Sequence, residues 1–172
     1  MENVKIKICG ITSWQDYQQA VTLGADYTGF IFYQQSPRFI DPVRAIEITR
    51  CQNSKTHQLV GVFVNEDIEM VKEIFYKTKL NIVQLHGDES PDYVHRLKLP
   101  CWKAIRIKDE RSLKNLGIYN CDFFLLDTYK EDLYGGTGIS FDFRMAEEAI
   151  KIGKRIILSG GISLSNLHSI FK

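Results

Sequence analysis

One feature limits this chain more than any other: short β-rich runs alternate with longer stretches of helical spacing. The runs are "VKIKIC", "YTGFIF", "QLVGVFV", "NIVQLH", "CWKAIRI", "CDFFLLD" and "RIILSG". After them, in order, come "SWQDYQQAVTLG", "PVRAIEITRCQ", "EDIEMVKEIFYKT", "SPDYVHRLK", "ERSLKNLG", "FDFRMAEEAIKIG" and "LSNLHSIFK". In the third of these, Ile68, Val71, Ile74 and Phe75 fall on one helical face. Apolar runs that each lead into a helix predict a parallel sheet with helices over its faces.

The punctuation agrees. Thr12 with Gln15 fits a capping box. Asp41-Pro42 and Ser90-Pro91 each place a cap residue before a proline at the first helical position. Ser140 and Ser163 are further cap candidates, and Gly24, Gly117 and Gly153 stand where helices should end.

The pattern counts seven β-α units. A doubly wound sheet and a (β/α)8 barrel both accommodate that repeat. The barrel is favoured because polar and small residues collect where the runs end: Cys9 and Gly10, the segment 32–38, Asn65, Gln84, His86, Gly87, Arg106, Asp127, and Ser159 to Gly161. A barrel brings such ends into one ring, where active sites form; an open sheet spreads them along a line. The expectation is an α/β fold, one (β/α)8-barrel domain over residues 1–172 with its eighth β-α unit missing from this chain.

Composition narrows the partners. A length of 172 residues suits one domain with a real core. A net charge of +1 and the lack of a basic run argue against nucleic acid. No apolar run nears the roughly 20 residues of a membrane helix, and "MENVKIKICG" lacks the apolar centre of a signal peptide. None of the four cysteines sits in a CxxC pair, so metal spacing is missing and a cytoplasmic protein with reduced thiols is expected.

Among the strand ends, Cys9 is either a small buried hydrophobe or a thiolate acting as base or nucleophile. Cys51, Cys101 and Cys121 are assigned to packing. Asp127 closes an apolar run, so it is a loop-ordering carboxylate or a general acid. Arg38, after Ser36-Pro37, is a solvated loop arginine or a fork for a carboxylate or phosphate. His86 in "QLHGDE" is read as orienting its loop rather than as an acid–base group, and His57, His95 and His168 receive no chemistry. Gly160 and Gly161 lie between a strand and a helix, where backbone N–H groups can hold a phosphate. "YGGTG", with Gly136, is not a P-loop.

Taken in order, "KICGIT", "GADYTGFIFYQQSPRFI", "VGVFVN", "VQLHGDE", "LLDTYKEDLYGGTGISFDF" and "ILSGGIS" make the chain resemble the phosphoribosylanthranilate isomerase family of tryptophan biosynthesis. The resemblance implies a barrel enzyme without cofactor or metal, a small phosphosugar substrate, and a monomer or homodimer. It implies that Asp127 is the general acid and Cys9 the general base of an Amadori rearrangement. It implies that Arg38 binds the anthranilate carboxylate and that Gly160 and Gly161 form half of a phosphate site. Gln84, His86 and Gly136 complete the expected substrate contacts, the last on a loop folding over the substrate. The family normally continues into an eighth unit carrying the other half of the phosphate site. Two other readings stand beside this one. The first is a partial barrel that binds a phosphosugar without turnover. The second is another phosphosugar barrel enzyme, such as an indole-glycerol-phosphate synthase, which would want a lysine acid at a strand end; Lys7 is the nearest candidate.

Overall fold

A computed structural model describes residues 4–50, 57–121, 123–128, 143–151 and 153–167. All seven expected runs are strands. They fall into two compact units, Met1–Glu89 with Arg96–Pro100, and Ser90–His95 with Cys101–Lys172.

The first unit contains β1 (Lys7–Cys9), α1 (Trp14–Thr22), β2 (Tyr27–Ile31), α2 (Pro42–Thr49), β3 (Gln58–Phe63), α3 (Ile68–Lys77) and β4 (Ile82–Leu85). Its strands pair in parallel and in chain order. Every residue of β4, and all of β3 after Gln58, is buried. That two-sided burial is why these strands read as unbroken apolar runs. Each large aliphatic or aromatic side chain so enclosed contributes about 1.5–3 kcal/mol. In α3, Ile68, Val71 and Ile74 are buried, as the spacing predicts, with Phe75 half-buried beside them.

α4 (Pro91–Leu97) is divided between the units, and the second unit further contains β5 (Cys101–Ile107), a 3₁₀ helix (Glu110–Ile118), β6 (Phe123–Thr128), α5 (Phe143–Lys151) and β7 (Arg155–Leu158). These strands are also parallel and in chain order. Its core joins Ile107, Leu113, Leu116, Phe124, Leu126, Ala146 and Ala149. Neither unit reverses its strand order, whereas a doubly wound sheet must do so at its switch point.

Three local expectations need correcting. The cap of α1 is Ser13, not Thr12: the Asp16 N–H donates to Ser13 Oγ at 3.1 Å, and Ser13 holds an extended backbone. The cap thus lies one residue later than the expected pair of Thr12 with Gln15. The stretch after β5 winds as a 3₁₀ helix that buries Leu113 and Leu116, three residues apart. Gly117 consequently lies inside that helix instead of ending it.

The caps at Asp41 and Ser90 behave as expected. The Val43 N–H donates to Asp41 Oδ1 at 2.8 Å, and the Tyr93 N–H to Ser90 Oγ at 3.2 Å. Ser163 receives the Leu167 N–H on its backbone carbonyl at 3.0 Å. Ser140, Cys51, His168 and the loop "YGGTG" with Gly136 lie outside the described residues.

Candidate active site

Parallel pairing puts the C-terminal ends of the first unit's strands along one edge. Cys9 pairs with Gly29, Gly29 with Val60, and Val60 with Ile82. Lys7, Cys9, Gly29 and Gln84 therefore share one face of the sheet, since alternate residues of a strand point the same way.

Cys9 is half-buried at the end of β1. Lys7 Nζ lies 3.2 Å from its Sγ and 2.7 Å from Gln84 Oε1. Gln84 is buried at 2% exposure, and its Nε2 lies 2.7 Å from His86 Nδ1. The donors order themselves. An ammonium only donates, so Gln84 presents its carbonyl oxygen to Lys7 and its amide nitrogen to His86. His86 Nδ1 is then the acceptor and the ring proton sits on Nε2.

Two glycines make room for this arrangement. A Cβ on Gly29 would stand 2.8 Å from Cys9 Sγ and 3.0 Å from Lys7 Cε. A Cβ on Gly10 would stand 2.6 Å from Arg38 Cδ, and Gly10 also holds φ +89°, where other residues are strained. Arg38 extends over Gly10 and donates from Nη1 to the Cys9 carbonyl oxygen at 2.9 Å. Its loop is closed by the Ile40 N–H donating to the Ile31 carbonyl at 2.9 Å, and the Arg38 N–H reaches Ser36 Oγ at 3.2 Å. Arg38 is exposed, so its remaining donors suit an external anion.

The turn after His86 is ordered by Glu89 and Asn65. The Gly87 N–H meets both Glu89 carboxylate oxygens at 3.1 Å, the Asn65 N–H donates to Glu89 Oε1 at 2.9 Å, and the Asp88 N–H to Asn65 Oδ1 at 2.7 Å. His57, given no chemistry, is buried between Thr28 Oγ1 at 2.9 Å and the Ala25 carbonyl at 2.8 Å.

In the second unit, Asp127 is buried at 2% exposure near the end of β6. Arg106 is its register partner on β5. Leu126 pairs with Leu158, and the Ser159 N–H continues that ladder to the Leu126 carbonyl at 3.0 Å. Arg106, Asp127 and Ser159 thus stand at one level of the sheet. Gly160 and Gly161 follow with φ +82° and +64°. Asn166 closes their loop, donating from Nδ2 to the Gly161 carbonyl at 2.7 Å and accepting the Ser163 N–H at 2.8 Å. Cys101 and Cys121, expected to pack, bring their sulfurs to 3.6 Å. Among the described residues, no cluster of three or more His, Cys, Asp or Glu side chains is arranged to hold a metal ion.

Cys9, Arg38, Gln84 and His86, expected at strand ends or in the loops after them, stand there in the first unit, and Asp127, Gly160 and Gly161 do so in the second. Sequence reading missed the work of Lys7 beside Cys9 and the clearance at Gly29. A signal for the latter was present, since a glycine inside an apolar strand marks a close approach.

The family model described as N-(5'-phosphoribosyl)anthranilate (PRA) isomerase matches residues 6–172. An N-(5'-phosphoribosyl)anthranilate isomerase from Trichlorobacter lovleyi is 43% identical over 164 residues, covering 95% of this chain and 80% of that protein. A Thermotoga maritima structure, described as monomers of the dimeric phosphoribosylanthranilate isomerase, superposes with a TM-score of 0.84 at 34% identity, covering 98% of this chain and 81% of that one. A phosphoribosylanthranilate isomerase solved with reduced 1-(o-carboxyphenylamino)-1-deoxyribulose 5-phosphate superposes with a TM-score of 0.85 at 32% identity, again over 98% and 81%. This chain belongs to the phosphoribosylanthranilate isomerase family and has that family's (β/α)8-barrel type of α/β fold.

Proposed function

We propose that this chain catalyses the Amadori rearrangement of N-(5'-phosphoribosyl)anthranilate to 1-(2-carboxyphenylamino)-1-deoxyribulose 5-phosphate, a step in tryptophan biosynthesis. The observation that carries the reading is the family match across residues 6–172, with Cys9, Arg38 and Asp127 all at strand ends or the loops after them.

The reaction needs one acid and one base. Asp127 donates a proton to the furanose ring oxygen as its bond to C1 breaks, leaving a C1–nitrogen double bond. The Cys9 thiolate takes the proton from C2, and the electron pair moves to form an enolamine. Tautomerisation places a proton on C1 and leaves the C2 ketone. Such groups typically contribute about 10² to 10⁴-fold each. Arg38 holds the anthranilate carboxylate, and the backbone at Gly160 and Gly161 takes the phosphate. Gln84 and His86 line the base end, and Gly136 is a further substrate contact. The steps are proton transfers alone and call on no metal or cofactor.

No helix among the described residues is long and apolar enough to cross a membrane. We place the enzyme in the cytoplasm, as a monomer or homodimer; the dimeric Thermotoga maritima relative supports the second form. The test is the loss of phosphoribosylanthranilate fluorescence on adding the purified protein. Decay proportional to protein concentration is expected. Binding of the substrate with no decay would replace the isomerase by a phosphosugar binder.

A further inference from the structure

The base has an unassigned neighbour. Lys7 is half-buried, and its ammonium meets one amide oxygen and one sulfur. Among the described residues of the first unit, no carboxylate pairs with it. A partly enclosed cation needs a compensating charge. An ammonium has three donors and no acceptor, so Cys9 Sγ is the acceptor of the 3.2 Å contact.

The surroundings hold Lys7 in this place. Gly29 lies beneath it, and any side chain there would come within 3.1 Å of Nζ and 2.8 Å of Cys9 Sγ. Gln84 grips the ammonium at 2.7 Å and is itself fixed by His86. Lys7 thereby connects the end of β1 to β4, across two intervening strands.

We propose that Lys7 is a positioning residue for the base: its ammonium orients the Cys9 sulfur and ties it to Gln84. This rests on the reading of Cys9 as base. The proton taken from the substrate resides on Cys9.

The experiment compares Lys7→Met, Lys7→Arg and Cys9→Ala with the unaltered protein. Two quantities are measured: steady-state turnover of phosphoribosylanthranilate, and the rate at which iodoacetamide alkylates Cys9 at one fixed pH, followed by peptide mass. The second needs no turnover. Lys7→Met is expected to lower kcat about 10- to 100-fold with KM changed less than about threefold, and to slow Cys9 alkylation about tenfold. Lys7→Arg, which keeps the cation, is expected to recover part of both. Unchanged alkylation of Cys9 in Lys7→Met, or a change confined to KM, overturns the role of Lys7 even where Cys9→Ala is inactive. Normal turnover in Cys9→Ala overturns the base reading itself, and this inference with it.

Discussion

The strand ends of the two units are built by different means. Around Cys9 the work is done by long side chains, with Lys7 and Arg38 laid over two glycines and Gln84 bonded to Lys7. Around Asp127 it is done by backbone: a register that aligns Arg106, Asp127 and Ser159, then two glycines turned to positive φ and a loop closed by Asn166. The difference follows from the tasks proposed for them. A base is tuned by charges and donors set at measured distances from one sulfur. A phosphate is held by N–H groups, which every residue supplies, provided the chain bends and no side chain intrudes. The two ends should therefore break in different ways.

The largest expected effect is at Asp127. Asp127→Asn keeps the size of the side chain and removes the acid, so turnover should fall about 10² to 10⁴-fold with an unchanged circular dichroism spectrum. A fall below about tenfold would move the acid to another residue.

Next come the glycines, which set the two ends directly against each other. Gly29→Ala puts a methyl 2.8 Å from Cys9 Sγ with no backbone strain, so kcat should drop about tenfold or more while KM holds. Gly161→Ala forces a side chain at φ +64°, which costs about 1 kcal/mol of stability and should raise KM while leaving kcat nearly intact. Thermal melts and steady-state kinetics on both variants decide the matter. The same kinetic signature from both would erase the distinction.

The smallest effect is expected far from either site. Asp26 accepts from Lys5 Nζ at 2.7 Å and from the Ile6 N–H at 2.9 Å, steadying the approach to β1. The hydrogen bond from Lys5, and then that from the Ile6 backbone, hold the Asp26 carboxyl below its ordinary value of 3.8. The unfolded chain binds its proton first as pH drops. The stability it provides is therefore complete above the ordinary value and is lost as pH falls through the lowered native one. Asp26→Asn should cost no more than about 0.5 kcal/mol at neutral pH, and its urea midpoint should converge with that of the unaltered protein in acid.

What the sequence reveals and what it hides separates along the same physical line. The strands are legible because burial on both faces leaves an apolar run that is local in the chain, as in β3 and β4. Asp127 is legible because a carboxylate ending such a run must have a reason. The cap at Ser13 is harder to place, since Thr12 and Ser13 both precede a polar side chain by three residues and only the backbone angle decides. The 3₁₀ helix hides because leucines three apart suit either pitch. The contact of Lys7 with Gln84 spans 77 residues, and no periodicity records it. A lysine two residues before a cysteine looks like any strand residue until the fold lays it against the sulfur.

The most direct test of the account is turnover of phosphoribosylanthranilate by Cys9→Ala, measured beside the unaltered protein with folding checked by circular dichroism. The alanine removes the sulfur that Lys7 holds at 3.2 Å and leaves Arg38 and Asp127 in place. Loss of at least about 100-fold in kcat, with substrate still bound, is the predicted result. A folded Cys9→Ala protein that turns over at close to the normal rate would contradict it.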